Sequence, residues 1–491
     1  MHSFSFGFRE GHQASELTFT VRQLIEKCNE WRMPLFILKV DLAKAFDRLS
    51  HRAVWNTLVS SVPLHVAGAI MEQILDTSMQ ANLQGVLAPL VELQRGVRQG
   101  DPLSPTIFGS AMDDRLSSLR QQWIGRRVGF FMKYEDGLYD VGLALNGASL
   151  QPRPVMHGDR RTGRYYLPLL GFADDTYLLS RSMPELQLMA REFSKAVGED
   201  GLGLQPAKCS WTTNVSAHAS RGLSLTVEGL EVPRLSRDEP FSVLGTMVTM
   251  DGKSSQNTEA RLQSAWRAFF AIKGLMSRDS LSQSRILSIL LCRVQSSAIY
   301  HLHLGHLVKT DMRRVRSCQV AMTAAILCPG RRPGESHVDS FRRKRRRAAE
   351  IITAHSEQSP FWHQAVVLQR LRWAGHVARM RDYLGEPRVA YCAMRWRDQQ
   401  WWRERQQLIR NGAQGLRHPG QFNALSRWES TACAWHAWFT TNVNELLPEP
   451  VQGMVEGVST WHQLAMNRRV WEDLTEQYVR DCIPAFLLKN F

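Results

Sequence analysis

Apolar positions recur along this chain with two periods, and the changes of period mark its parts. From 15 to 30, Leu17, Val21, Leu24, Ile25 and Cys28 keep the three-to-four-residue spacing of an amphipathic helix. Pro34 breaks that pattern, and LFILKV at 35–40 reads as a short buried strand. Helix is expected again from Lys44 and after Pro63, with strand and turn over 81–97. Ser104 followed by Pro105 has the form of a helix start, a hydroxyl cap and then proline at the first helical position. Ile107, Phe108, Ala111, Met112, Leu116 and Leu119 continue that helix on one face. Residues 130–168 alternate turns and short strands and read as an irregular insertion. LPLLGF and TYLLS flank a polar ADD, a hairpin pattern, and strand pieces return at 223–232 and 241–250.

After Asp251–Gly252 the texture changes. Leu262, Ala265, Trp266, Phe269, Ile272 and Met276 keep helical spacing, and helix is expected to dominate to about 328. The expected plan is an α+β domain at 1–252, a helical domain at 253–330, a basic hinge at 331–347 and a mainly helical region at 348–491.

Composition narrows the class. Apolar residues make up 44% of the 491 positions and charged residues 22%, ordinary for a globular chain. No run approaches the ~18 apolar residues a membrane span needs, so no membrane partner is expected. The start, MHSFSFGFREGHQ, lacks the charged-then-apolar layout of a signal peptide. The 8 cysteines form no CxxC pair, which argues against a zinc knuckle and suits a reducing compartment. His301, His303 and His306 do not share one helix face and read as structural.

Charge sharpens the picture. The net +15 is concentrated in residues 261–410, which hold 28 Lys/Arg against 10 Asp/Glu. That block calls for a polyanionic partner. Its densest stretch, RRPGESHVDSFRRKRRR at 331–347, ends in Arg342, Arg343, Lys344, Arg345, Arg346 and Arg347. These six are candidate phosphate contacts, and RRKRRR also has the form of a nuclear localisation signal, so an intracellular, nuclear protein is expected. The tryptophans from Trp362 to Trp471 read first as core, with stacking on unpaired bases as the alternative.

Three segments carry chemistry. In FILKVDLAKAFD, Asp41 ends an apolar strand; RGVRQGDPLSP at 95–105 is a loop entering a helix; LLGFADDTYLLS places Asp174 and Asp175 at a hairpin tip. Adjacent carboxylates repel unless a cation neutralises them. An isolated ADD is usually just a polar turn. A second strand ending in Asp41 changes the weighing. Carboxylates from two strand ends can bridge hard cations such as Mg²⁺, and paired ions about 3.5–4 Å apart stabilise in-line phosphoryl displacement.

V-D-x-x-x-A-F-D at 40–47, R-G-V-R-Q-G-D-P-L-S-P at 95–105 and F-A-D-D at 172–175 resemble, in order and spacing, the palm motifs of reverse transcriptases, most closely those of non-LTR (LINE-type) retrotransposons. GFREGHQASE at 7–16, GLGLQPAKCSW at 201–211, FSVLGTMVTMDG at 241–252 and RLRWAGHVARM at 370–380 resemble further segments of that family. The resemblance implies a right-hand polymerase palm with partial fingers, a helical thumb and a mainly helical C-terminal region. It implies RNA-directed DNA synthesis on an RNA template and DNA primer from deoxynucleoside triphosphates, with two Mg²⁺ ions, Mn²⁺ being able to serve. Asp41 and Asp174 would be the principal metal ligands and Asp175 would complete the triad. Phe46 would exclude a ribose 2′-hydroxyl, beside Leu42. Gln99 and Gly100 would line the nucleotide pocket, and Lys208 would act near the leaving pyrophosphate. In the family, finger strands precede the GFRE-like segment, and only Arg9 and the residues around it match that part here, which implies a fragment of a longer polyprotein or a decayed or mis-started copy. The alternative left open is a truncated, catalytically impaired remnant that still binds RNA or DNA.

Overall fold

Pro34 and the apolar LFILKV run do what their sequence predicts: the Ala14–Glu30 helix stops and the Phe36–Val40 strand starts. The computed structural model describes residues 11–30, 32–133, 164–276, 281–305, 309–328, 330–357, 359–380, 388–394 and 467–488, with Gly7 and short pieces at 139–140, 153–154, 396 and 465. Most of the expected insertion at 130–168, His306 and the tryptophans from Trp401 to Trp461 lie outside the described residues. The chain divides into two units, 1–138 with 156–239, and 240–491 with 139–155. The boundary expected at 252 therefore falls inside the second unit.

The first unit is built on a four-stranded antiparallel sheet in the order Leu169–Phe172, Asp175–Ser180, Phe36–Val40, Ser210–Thr213. Phe36 pairs with Ser180 and Val40 with Thr176, so the central strands end together. The Met183–Gly198 helix packs on these two strands, burying Leu186, Met189, Ala190 and Phe193. That helix was not among the expected elements, although its start is explicit: the Ser182 hydroxyl accepts from the Glu185 N–H, and proline follows the cap. The Ser104–Arg126 helix is tied to it by Trp123, whose indole N–H donates to Glu192 at 2.6 Å.

Two sequence expectations for helix starts need correction. The helix foreseen from Lys44 is broken into Ala45–Arg48 and His51–Ser61, because Leu49 is extended and Ser50 caps the second piece. Ser104 is not a cap: it is helical and buried, and Asp101 instead accepts the Leu103 N–H at 2.8 Å. A carboxylate two residues upstream thus satisfies one of the N–H groups that a helix start leaves without an intrahelical partner.

The second unit opens with the Phe241–Val243/Thr246–Val248 hairpin. Helices follow at Ser255–Met276, Gln283–Ile289, Lys309–Leu327, His337–Ala354, Trp362–Arg379 and Arg468–Leu488. Phe269, Leu290, Val315, Ile352 and Trp362 belong to one buried cluster. The turn of the hairpin is held from below: Thr246 Oγ1 and His301 Nδ1 share a hydrogen bond of 2.9 Å, and Arg261 reaches the Gly245 carbonyl. His301 is therefore structural, as its spacing suggested.

The run read as a basic hinge is helical from His337 onward. Ser336 caps it, accepting the Asp339 N–H at 3.0 Å, and Ala348, Ile351 and Ile352 anchor it in the core. The buried part of its apolar stripe begins only after the basic residues, so periodicity alone hid the first turns.

Burial also predicts a pH dependence. The His363 imidazole, buried beside Arg316, has its pKa pushed down to about 3. The folded state keeps it neutral while the unfolded chain takes up a proton below about 6.5. Stability should therefore fall as pH drops from about 6.5 towards 3, by roughly 3 kcal/mol at pH 4. Urea unfolding of His363→Gln should lose that share of the slope; an unchanged difference between pH 7 and pH 4 contradicts the assignment.

Candidate active site

One step beyond the Val40–Thr176 pair, Asp41 and Asp175 stand at the ends of adjoining strands. The hairpin closes with Phe172 opposite Asp175, leaving a two-residue turn of Ala173 and Asp174. Ala173 takes φ 56°, the left-handed region, which tightens the turn and leaves Asp174 exposed at its tip. Gly7 lies against this turn: a Cβ there would come within 2.3 Å of the Ala173 nitrogen. The GFRE-like segment thus contributes a glycine whose missing side chain lets two backbones touch.

Asp41 is held through its backbone. Its N–H donates to Cys209 Sγ at 3.4 Å, and its carbonyl accepts from Gln205 N–H at 3.0 Å. Both partners flank Lys208, whose turn is thereby fixed to the Asp41 strand end. The Lys208 side chain is exposed and makes no hydrogen bond or ion pair among the described residues. Leu42 is buried and bridges to Leu204, so only its backbone is available to a nucleotide.

The loop at 95–103 docks on the turn after Asp41. Gly96 N–H donates to the Leu49 carbonyl at 2.8 Å and Val97 N–H to the Phe46 carbonyl at 2.8 Å. Gly96 has φ +91°, and a Cβ on it would meet the Asp47 carbonyl oxygen at 2.7 Å. Gln99 donates to the Asp47 carboxylate at 3.2 Å, and Gly100, at φ +93°, faces open space. The Phe46 ring, half-buried, stacks on Phe108 at 4.5 Å. The structure thus brings the three motif segments together at one end of the sheet.

Lys39 was missed in the sequence. It sits two residues before Asp41, on the same face of the strand, and its ammonium lies 3.6 Å from Asp175 Oδ1. The signal was a lone charge inside FILKV. Burial raises the Asp175 pKa, and nearby Asp174 and Asp41 raise it further, while Lys39 opposes them. Such a cluster favours an added cation. Among the described residues no three carboxylate, histidine or thiol groups are already gathered as a metal cage. Magnesium does not need one, since it takes one or two carboxylates and completes its shell with water and phosphate oxygens. The residues present therefore fit a divalent ion that arrives with substrate.

A family model described as reverse transcriptase (RNA-dependent DNA polymerase) matches residues 1–248. The chain belongs to this family. Reverse transcriptases use divalent metal ions, in keeping with the carboxylates just described. The chain is 24% identical over 245 residues, 48% of its length, to a Pol polyprotein from a type-1 R2 retrotransposable element of Nasonia vitripennis, of which it covers 20%. It is 26% identical over 225 residues, 44% of its length, to the type-2 R2DM polyprotein of Drosophila melanogaster, of which it covers 18%. The resemblance to non-LTR elements is thereby borne out, and the chain spans about a fifth of the length of these relatives. Among solved structures, apo telomerase from Candida tropicalis aligns over 73% of this chain and 53% of its own, at 12% identity and a TM-score of 0.33.

The basic candidates of the chain divide into two sets. Arg343 forms a two-pronged pair with Glu335 at 2.7 and 2.8 Å, Arg345 donates to Ser317 Oγ at 2.6 Å, and Arg347 pairs with Glu350 at 3.2 Å. Arg342, Lys344 and Arg346 make no hydrogen bond or ion pair among the described residues. Helical spacing could have shown the i,i+3 pair of Arg347 with Glu350, but not Glu335, which precedes the helix, or Ser317, which lies on the Lys309–Leu327 helix. No helix among the described residues is long and apolar enough to cross a membrane.

Proposed function

We propose that this chain catalyses RNA-directed DNA synthesis: attack of a primer 3′-oxygen on the α-phosphorus of a deoxynucleoside triphosphate, with loss of the hydroxyl proton and release of pyrophosphate. The observation that carries the proposal is the meeting of Asp41, Asp174 and Asp175 at adjoining strand ends beside the docked 95–103 loop. Asp41, Asp174 and Asp175 would hold two Mg²⁺ or Mn²⁺ ions, which stabilise charge on the attacking and leaving oxygens. Lys208 offers its ammonium to the departing pyrophosphate. Gln99 and Gly100 border the nucleotide, with close backbone approach at the glycine. Residues 1–252 supply the palm with partial fingers, and the helices of 253–330 supply the thumb. The cations at 342–347 bind template–primer and, we propose, also direct nuclear import.

Incorporation of labelled deoxynucleotide on a primed RNA template in Mg²⁺ tests the reading. A chain that binds the RNA–DNA hybrid yet extends no primer under saturating Mg²⁺ would instead be the binding remnant.

Phe46 is proposed to select the sugar. Its ring is fixed from one side by Phe108, which leaves it a rigid floor for the incoming nucleotide. Phe46→Ala should narrow the preference for deoxynucleotides about 10- to 100-fold while extension continues. An unchanged preference in a folded, extending variant would leave the ring a core residue only.

A further inference from the structure

The His337–Ala354 helix buries one stripe, Ala348, Ile351 and Ile352, but that stripe does not end where the core ends. Phe341, seven residues before Ala348, continues it and is 60% exposed, with Val338 at 57% beside it. A phenylalanine this exposed, continuing a buried stripe, calls for something to cover it. What surrounds it here is positive charge. At ~100° per residue, Val338, Phe341, Arg342, Arg345 and Arg346 fall within an arc of about 140°.

These side chains are not equivalent. Arg345 is held by Ser317, and its guanidinium lies 5.3 Å from the centre of the Phe341 ring. That contact steadies the ring and occupies one of its faces, leaving the other to solvent. Arg342 and Arg346, one turn apart, carry no ion pair among the described residues. Their Cβ atoms stand ~5–6 Å apart, a separation that neighbouring phosphates of an extended strand can match. An apolar protein partner would leave both guanidinium groups covered and unpaired, which is costly. A polyanion that also offers a flat apolar face satisfies both features. Duplex nucleic acid offers the charge but keeps its base faces stacked inside.

We propose that the 337–354 helix is a binding site for unpaired nucleic acid, in which a base stacks on Phe341 while Arg342 and Arg346 hold the flanking phosphates. The site reads neither sequence nor sugar, because every base has a π-face and phosphates carry no sequence information. It deepens the nucleic-acid-binding part of the proposed function and does not depend on catalysis.

The test uses the full chain carrying Asp41→Asn, so that loss of polymerase activity cannot enter. Fluorescently labelled single-stranded RNA, single-stranded DNA of the same sequence and the blunt duplex are titrated at several salt concentrations. Phe341→Ala should weaken both single strands about 5- to 100-fold, leave the duplex unchanged and leave the salt slope unchanged, since no charge is lost. Phe341→Trp should bind as well as the parent or better. Arg342→Gln with Arg346→Gln should flatten the single-strand slope by about 1.4, at ~0.7 per phosphate contact. Thermal melting of each variant checks that these exposed changes leave the fold intact. An equal loss on the duplex, no loss on the single strands, or a loss confined to one sugar would each overturn the site. The first would make the helix a plain electrostatic surface, and the second would leave Phe341 to a protein partner.

Discussion

Asp41→Asn is expected to extend a primed RNA template at less than about a thousandth of the parent rate, and Asp174→Asn to fall as far. The amide keeps the size of the carboxylate and removes the charge that would hold a divalent ion, a loss of several kcal/mol in transition-state stabilisation. Neither change should unfold the chain. Asp174 is exposed at the tip of its hairpin, and the Asp41 strand end is secured through backbone atoms by Gln205 and Cys209. Template–primer affinity, measured beside extension, should therefore stay near the parent value. Extension by either variant at more than a tenth of the parent rate under saturating Mg²⁺ would remove that residue from the metal site. Lys39→Met offers a contrast. It withdraws the cation 3.6 Å from Asp175 but leaves all three carboxylates in place, so its effect should be far smaller.

The elements that position this site were legible where a local signal coincided with a tertiary demand. The apolar FILKV run, ended by Asp41, is a strand in both accounts because a short buried run has few other uses. The ADD hairpin was legible for the same reason, as was the helix behind Pro105. The resemblance to non-LTR reverse transcriptases rested on these same segments, and the family match and the R2 relatives agree with it.

What escaped the sequence was set by contacts between distant residues. Lys39 looked like a tolerated charge in a strand; its meaning lies in Asp175, 136 positions away, which only the register brings near. Gly96 looked like part of a loop, but its left-handed backbone is what lets Val97 and Gln99 reach the Phe46–Asp47 turn. The basic stretch at 331–347 looked like a hinge because charge masked the helical spacing of its part from His337 onward. Only the Ser336–Asp339 cap showed that a helix begins there.

Gly375→Ala is expected to destabilise the second unit by about 2–4 kcal/mol, although alanine is intrinsically the better helix former. Gly375 sits within the Trp362–Arg379 helix, and the indole of Trp471, on the Arg468–Leu488 helix, lies close against it. A Cβ at 375 would come within 2.4 Å of the indole nitrogen. The indole cannot step aside cheaply: it is buried to 2% exposure, and its N–H donates to the Leu371 carbonyl at 2.9 Å, one turn earlier on the same helix. Displacing it forfeits most of what a buried tryptophan contributes, ~3–5 kcal/mol, against a gain of ~1 kcal/mol in helix propensity. This accounts for the glycine of RLRWAGHVARM, which in isolation reads as a weak point in a helix. The sign should reverse once the indole is gone. In a Trp471→Ala background, Gly375→Ala should stabilise by up to ~1 kcal/mol, because only the helix preference remains. Urea unfolding of the parent, the two single variants and the double variant measures that coupling. If Gly375→Ala has the same effect in both backgrounds, the close approach of Trp471 does not set the need for glycine.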